Sequence, residues 1–178
     1  MSKGSNYIFK ALHIVAWLIF VGLCIEAGGL IVNFVYSVLK PSIVSNLYQK
    51  LDLSSMYQQS KWTYFGMYGF VISVALLKAM LFYIVIELLY KLDLSKPFSS
   101  FVAGKIAQIS YFTLSVGILS FIARQTAKNL SNRGYEIDKL GQFWVDSQAF
   151  ILMAAVIYVI ATIFKKGVDI QNENELTV

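Results

Sequence analysis

Charged residues are scarce in this sequence, in which Asp, Glu, Lys and Arg make up only 14% of 178 residues. An ordinary soluble domain carries about 25% of these residues, so the composition excludes a soluble surface of the usual kind. Hydrophobic residues reach 57%, and the mean hydropathy is +0.63. The composition therefore predicts an integral membrane protein.

Cysteine, histidine and proline are also rare, and each scarcity excludes a class of protein. The single cysteine, Cys24, excludes a framework of internal disulfides. The single histidine, His13, has no second histidine to complete the usual zinc or di-iron ligand patterns, so we expect no metal and no other cofactor. Two prolines and eleven glycines exclude a collagen-like or Pro/Gly-rich disordered chain.

Motifs that carry catalysis are missing too. The sequence contains no G-x-S-x-G motif, no glycine-rich phosphate-binding loop and no pair of catalytic acids. We therefore predict that the protein is not an enzyme. The basic residues behind its pI of 9.2 are dispersed, which suits lipid headgroups better than nucleic acid, so no direct nucleic-acid binding is predicted.

Four apolar runs bounded by charges follow one another along the chain: residues 11–39, 62–90, 106–127 and 147–164. Each run is long enough to span a bilayer, because about 20 residues at a rise of about 1.5 Å cross a hydrocarbon core of about 30 Å. The sequence predicts one all-α domain over residues 1–178, an integral-membrane four-helix bundle with both termini on one side.

The predicted sidedness rests on a small difference in basic charge. Seven lysines lie in the segments on the side of the termini, against six basic residues on the other side. The positive-inside rule therefore favours cytoplasmic termini, with residues 167–178 as a cytoplasmic tail. Because this tail is short, it is expected to be disordered or to be recruited by a partner as an added strand.

Polar residues within the spans are the first candidates for function, because a charge inside a bilayer is costly and by default faces the bundle interior. Glu26 and Lys78 lie near the midpoints of the first and second spans, with an axial offset of about 4.5 Å at the helical rise. We predict that they form a buried ion pair. One small-and-polar face of the first span is predicted to contact a neighbouring helix closely. Its residues are Gly22, Glu26, Gly29 and Asn33.

Two further polar groups are predicted at other depths. Asn33, Arg124 and Asp146 reach a similar level in the outer half of the membrane and form a candidate outer polar cluster. His13 and Glu87 form a candidate pair at the inner end. The third span carries a matching small-and-polar face, made of Ser110, Thr113, Gly117, Ser120 and Arg124.

Two interpretations of these groups are open. In the first, the polar residues are structural contacts that fix the register of the bundle. Alternatively, Glu26 and Lys78 hold or relay a proton, an ion or a small polar ligand.

The connections carry signals of their own. Ile43, Leu47 and Leu51 recur every fourth residue, which predicts a short amphipathic helix on the outer membrane face. Gly134 predicts the stop of the third helix. An aromatic belt at the outer interface is also predicted. Its members are Trp62, Tyr64, Phe143 and Trp144.

Three segments resemble a known family. The tail IFKKGVDIQNENELTV, residues 163–178, resembles the closing signature of the bacterial domain-of-unknown-function 2975 family. Residues 16–29, AWLIFVGLCIEAGG, and residues 94–98, LSKPF, resemble its members from the Bacteroidetes group, so the resemblance extends over the whole chain. It implies a multi-pass protein with four spans in the bacterial inner (plasma) membrane, often encoded beside a small helix-turn-helix regulator. It implies no known activity or site residue.

These signals lead to two hypotheses of function. The first is a regulatory or envelope-sensing protein that acts through a cytoplasmic partner, for which the small helix-turn-helix regulator is the candidate. The alternative is a small transporter or immunity-type membrane protein with a midplane polar site at Glu26 and Lys78. Gly66, Gly69 and Ser73 form a small-residue face on the second span, which serves either a homodimer or packing within the chain.

Overall fold

The computed structural model describes the backbone of residues 3–93 and 97–176, with side chains for residues 7–93 and 97–173. Within these residues the fold is all-α, and four of its helices are long and apolar enough to cross a membrane. This confirms the predicted four-helix membrane bundle. The helices are α1 (Lys3–Leu39), α2 (Ser54–Gln59), α3 (Lys61–Lys91), α4 (Ser100–Ser131) and α5 (Ser147–Leu176).

Side chains and turns define several helix ends. The hydroxyl of Ser60 accepts a hydrogen bond from the backbone N–H of Thr63 at 3.3 Å and so caps α3. Ser99 caps α4 in the same way, through Val102. Gly134 has a φ of +84° in the turn that follows α4, a conformation that glycine adopts without strain. The predicted stop of this helix at Gly134 is therefore confirmed.

The long helices pack in the order of the sequence, with α1 on α3, α3 on α4 and α4 on α5. Ring contacts set the antiparallel register of the first pair, in which Phe20 lies against Tyr83 and Phe34 stacks on Tyr68. We call the end that carries residues 40–60 and 132–146 the loop end. We call the other the terminal end, because there Phe98 of the α3–α4 connection contacts Phe164 of the last helix.

The two connections at the loop end bury their apolar side chains against the helices and expose most of their polar residues. Residues 41–50 form two 3₁₀ turns, and Leu47 pairs with Leu51 in an isolated antiparallel bridge. The predicted amphipathic helix over Ile43, Leu47 and Leu51 is therefore wrong, because both leucines are buried in a core shared with other elements. We call this cluster the loop-end core. Its members include Leu30, Val44, Leu47, Leu51, Leu53, Met56, Tyr64, Tyr68, Val71, Ala123, Leu140 and Phe143.

The predicted aromatic belt is only partly present at the surface. Trp62 is 86% exposed, as expected of an interfacial anchor. Tyr64, Phe143 and Trp144 are buried in the loop-end core. Phe143 and Trp144 belong to a connection whose apolar side chains pack on the helices, and Tyr64 of α3 faces the same core.

The C-terminal segment is helical. The last helix continues without a break to Leu176, where the sequence favoured a disordered tail or an added strand. Val168 is buried, and a Cβ at Gly167 would lie 2.7 Å from the ring of Phe98. The start of the segment after the apolar run is therefore packed, with Gly167 against the α3–α4 connection, whereas Asp169 and Ile170 are exposed.

The small-residue face of α3 takes no part in packing within the described chain. A Cβ at Gly66 or at Gly69 would meet no heavy atom within 4 Å, and Ser73 is exposed. This face is therefore turned away from the other helices. A homodimer through it stays a prediction.

Candidate functional site

Glu26 and Lys78 lie at the same depth in neighbouring helices. Because Phe20 lies against Tyr83 in the antiparallel pair, position 26 lies opposite position 77, one residue from Lys78. Both side chains are half-buried. The depth inferred from the sequence is therefore the depth in the structure.

The two side chains do not form the predicted ion pair. Their nitrogen and oxygen atoms are not within 4.0 Å of each other, and the ion pairs among the described side chains join Glu87 to Lys91 and to Lys105. Rotation about the helix axes explains the difference. Lys78 precedes Tyr83, which faces the first helix, by five residues, and this turns it about 140° away. Glu26 follows Phe20 by six residues and precedes Phe34 by eight, which turns it about 120° and about 80° away from these two contacts with α3.

Glu26 and Lys78 both border the loop-end core. On the first helix, Ala27 and Leu30 belong to this core and lie within one turn after Glu26. On the third helix, Val74 and Ala75 belong to it and lie one turn before Lys78. The two charges therefore mark the boundary between the packed loop end and the terminal half of the bundle. We keep them as the candidate intramembrane polar site.

The small-and-polar face of the first helix contacts the loop and not another helix. A Cβ at Gly29 would lie 2.7 Å from the ring of Tyr48, so glycine allows this ring to lie directly on the helix. A Cβ at Gly22 would meet nothing within 4 Å. The predicted helix contact through this face is wrong, because the face is turned away from the ring contacts that join α1 to α3.

The predicted outer polar cluster does not assemble. The amide nitrogen of Asn33 donates to the carbonyl of Gly29 in its own helix at 2.8 Å. Arg124 donates to the carbonyl of Val145 at 3.3 Å, and Asp146 accepts hydrogen bonds from the first backbone N–H groups of the last helix. Arg124 and Asp146 are thus close in the chain fold but are not an ion pair. Asn33 is separated from them because α1 packs mainly on α3 and its connection.

His13 and Glu87 reach the same cavity but do not bond to each other. The Nε2 atom of His13 accepts a hydrogen bond from Trp17 Nε1 at 3.1 Å, and its ring lies 6.3 Å from that of Tyr90. Glu87 accepts hydrogen bonds from Lys105 at 2.6 Å and from Lys91 at 3.2 Å. The predicted pair is therefore wrong in its partners. Both residues line a cavity of about 320 Å³ together with Trp17, Tyr83, Ile86 and Tyr90.

The predicted face of α4 is a helix interface. Ser110 donates a hydrogen bond of 2.8 Å to the carbonyl of Ala154 in α5. A Cβ at Gly117 would lie 2.9 Å from Ile151 Cγ1, so this glycine allows the two helices to approach closely. Thr113 and Ser120 are also buried. The predicted close helix contact is confirmed at Ser110 and Gly117, with α5 as the partner. Arg124, the last residue of the predicted face, is exposed and does not lie in this interface.

Sequence reasoning missed a second cavity, of about 400 Å³, between α4 and α5 at the terminal end. Its walls are Ala103, Gly104, Ala107 and Ala161, and two charged residues, Lys165 and Asp169, lie at one end. The signal that was available is the run of small residues near the start of α4. In a membrane helix such residues indicate close packing as readily as an open crevice, so the sequence alone did not distinguish the two.

Among the residues that the structure describes, His, Cys, Asp and Glu form no group of three or more that could hold a metal ion.

A model of the family described as "Protein of unknown function (DUF2975)" matches residues 48–178. It leaves out the first helix, although residues 16–29 contributed to the resemblance seen in the sequence. No curated protein and no solved structure matches the chain. Because the family match covers well over half of its length, this multi-pass helical membrane protein belongs to the DUF2975 family of proteins of unknown function.

Proposed function

We propose that the protein is a non-enzymatic regulatory or envelope-sensing protein of the bacterial inner membrane that acts through a cytoplasmic partner. The observation that carries this proposal is the length of α5, which runs from Ser147 to Leu176. Its apolar run ends at Phe164. The remaining twelve residues extend about 18 Å further at the helical rise, far enough to present a surface beyond the bilayer.

The projecting segment is attached firmly to the bundle. Gly167 lies directly on the ring of Phe98, and Phe98 also contacts Phe164 at a ring distance of 5.3 Å. A change in the packing of α4 against α5 would therefore move the projecting segment. Its partner is proposed to be the small helix-turn-helix regulator that the family resemblance implies, with no direct contact between this chain and nucleic acid.

A truncation that spares this attachment tests the proposal. A chain that ends at Ile170 keeps Gly167 and Val168 but lacks residues 171–178, so we expect it to insert normally and to lose the regulator in a pull-down from membranes. The Lys50→Gln variant at the loop end is the matched control and should retain the regulator. Full retention by the truncated chain would refute the role of the projecting segment.

The proposed sidedness has its own experiment. In a Cys24→Ser background, a cysteine at Gln58 should react with an impermeant thiol reagent in intact cells, because position 58 is exposed at the loop end. A cysteine at Asn172 should react only after the cells are permeabilised. The reverse pattern of labelling would place the partner surface outside the cytoplasm and rule out this proposal.

A second candidate function is the movement of a proton or small ion past Glu26 and Lys78. The observation in its favour is that both charges are half-buried at one depth without pairing to each other. Flux into proteoliposomes that disappears in the Glu26→Gln variant, but persists in a Glu136→Gln control at the loop end, would support it. Equal flux in vesicles with and without the protein would exclude it.

A further inference from the structure

The cavity between α4 and α5 is not filled by the side chains that the structure describes. Its volume of about 400 Å³ lies within the range of about 300–1,000 Å³ that is typical of small-molecule sites. Small residues form its walls, and a Cβ at Gly104 would meet no heavy atom within 4 Å. Space of this size beside two packed helices is therefore available to a ligand.

The cavity is polar at one end and aromatic at the other. Ser100, Lys165 and Asp169 lie at its terminal end, while Tyr111 and Tyr158 border it further along the helices, with ring centroids 6.2 Å apart. The distance from Ser100 to Tyr111 is about 16 Å at the helical rise. The cavity thus runs from the membrane boundary towards the middle of the span, in the direction in which a lipid places its headgroup and its chains.

The two charges at the mouth are opposite in sign and are not engaged. Lys165 and Asp169 are four residues apart on α5 and exposed, yet they are not within ion-pair distance of each other or of another described side chain. They differ in this from Glu87, which binds two lysines. An ammonium group and a carboxylate are therefore both available to a ligand that carries an anion and a cation.

We propose that this cavity binds a phospholipid with a phosphate and a primary amine in its headgroup, as in phosphatidylethanolamine. Lys165 binds the phosphate by a charge-assisted hydrogen bond, and Asp169 binds the ammonium group. One acyl chain lies along Ala103, Gly104 and Ala107. The contact of Gly167 with Phe98 fixes the mouth beside the connection. This lipid site does not depend on the regulatory function proposed above.

Lipid binding to the purified, delipidated full chain tests the site. Phosphatidylethanolamine should raise the melting temperature and be retained in native mass spectra more strongly than phosphatidylglycerol, which has the phosphate but no amine. Lys165→Gln should weaken the binding of both lipids about tenfold or more, since hydrogen bonds to charged groups contribute that much. Asp169→Asn should reduce phosphatidylethanolamine binding to the level of phosphatidylglycerol.

Matched variants separate the cavity from general membrane effects. Gly104→Leu fills the crevice and should abolish the preference for phosphatidylethanolamine, whereas Gly66→Leu, on an open face of α3, should leave it unchanged. Lys166→Gln is the control for the charge at Lys165. Wild-type affinity in both Lys165→Gln and Gly104→Leu would overturn the proposal. An equal thermal shift from glycerophosphoethanolamine, which has no acyl chain, would overturn it as well.

Discussion

Glu87 on α3 accepts a hydrogen bond of 2.6 Å from Lys105 on α4 and another of 3.2 Å from Lys91 on its own helix. The side chain of Lys105 is 16% exposed, and that of Lys91 is 53% exposed. Both lysines also lie over the ring of Phe101. The link between helices is thus the more enclosed of the two ion pairs, and it joins the segments on either side of the 92–99 connection.

This difference in exposure predicts unequal effects of removing the two lysines. Lys105→Met should lower the melting temperature clearly, because Glu87 then retains only an exposed partner on the same helix. Lys91→Met should change it little, since exposed pairs four residues apart contribute weakly. Thermal unfolding in detergent provides the measurement, and a Lys105→Arg variant that keeps the charge should recover most of the loss. Equal effects of the two methionine variants would contradict the assignment.

Two glycines, Gly117 in the α4–α5 interface and Gly66 on an open face of α3, predict opposite effects of substitution by alanine. Gly117→Ala places a methyl group 2.9 Å from Ile151 Cγ1 and 3.1 Å from the Ile151 nitrogen, and such overpacking costs about 1–3 kcal/mol. Gly66→Ala meets nothing within 4 Å and should raise the free energy of unfolding by about 0.5–1 kcal/mol, because alanine favours the helix. Unfolding in mixed detergent micelles measures both. A stabilising Gly117→Ala variant would show that the two helices are not in close contact.

Gly117 was predicted correctly and Leu47 was not, because a sequence pattern shows which residues can pack closely but not which element covers them. Small residues along a membrane helix permit a close neighbour: Gly117 has one in α5, whereas a Cβ at Gly22 or at Gly66 would meet nothing within 4 Å. Apolar residues in a connection are ambiguous in the same way. Leu47 and Leu51 recur at helical spacing, but their burial depends on α1, α3 and the 132–146 connection, which lie far away in the sequence. Periodicity alone therefore did not separate a surface helix from an inserted loop.

For the candidate polar site, the sequence predicted the depth of the two charged residues but not the direction of their side chains. The distance of Glu26 and Lys78 from the ends of their spans follows from counting residues, and the structure places them at one depth. The direction of each side chain depends on which face of each helix packs, and this is set by aromatic contacts such as Phe20 with Tyr83. Those contacts form only in the assembled bundle. The sequence therefore predicted that Glu26 and Lys78 lie at a similar depth, but it did not show that they form no ion pair.

The loop end has a pH dependence that follows from Asp52. Its carboxylate accepts hydrogen bonds from the Ser54 hydroxyl at 2.7 Å and the Ser54 backbone N–H at 3.0 Å. These bonds, the hydroxyl first, hold the pKa of Asp52 below its ordinary value of 3.8. The group binds fewer protons in the folded state, so its contribution to stability is fully present above pH 3.8 and is lost as the pH falls through the folded pKa.

Hydrogen exchange of residues 47–56 between pH 6 and pH 3 measures this contribution. Protection in the wild type should fall below pH 4, and Asp52→Asn should remove that part of the pH dependence while lowering protection at neutral pH. Asp138→Asn, an exposed change on the other connection, is the control and should leave the profile unchanged. An unaltered profile in Asp52→Asn would contradict the role of the Ser54 hydrogen bonds.

Glu26 and Lys78 predict a thermodynamic result that separates a structural pair from two independent charges. Glu26 and Lys78 form no ion pair and share no hydrogen-bond partner among the described side chains. If the two charges are independent, the effects of Glu26→Gln and Lys78→Met on the free energy of unfolding should add to within about 0.5 kcal/mol in the double variant. A coupling energy well above this value would show that the two side chains approach each other in the bilayer. The same variants report on function: if stability is additive but proton or ion flux is lost in both single variants, the charges serve the transport candidate. If flux is absent from the wild type, their position at the edge of the loop-end core accounts for them.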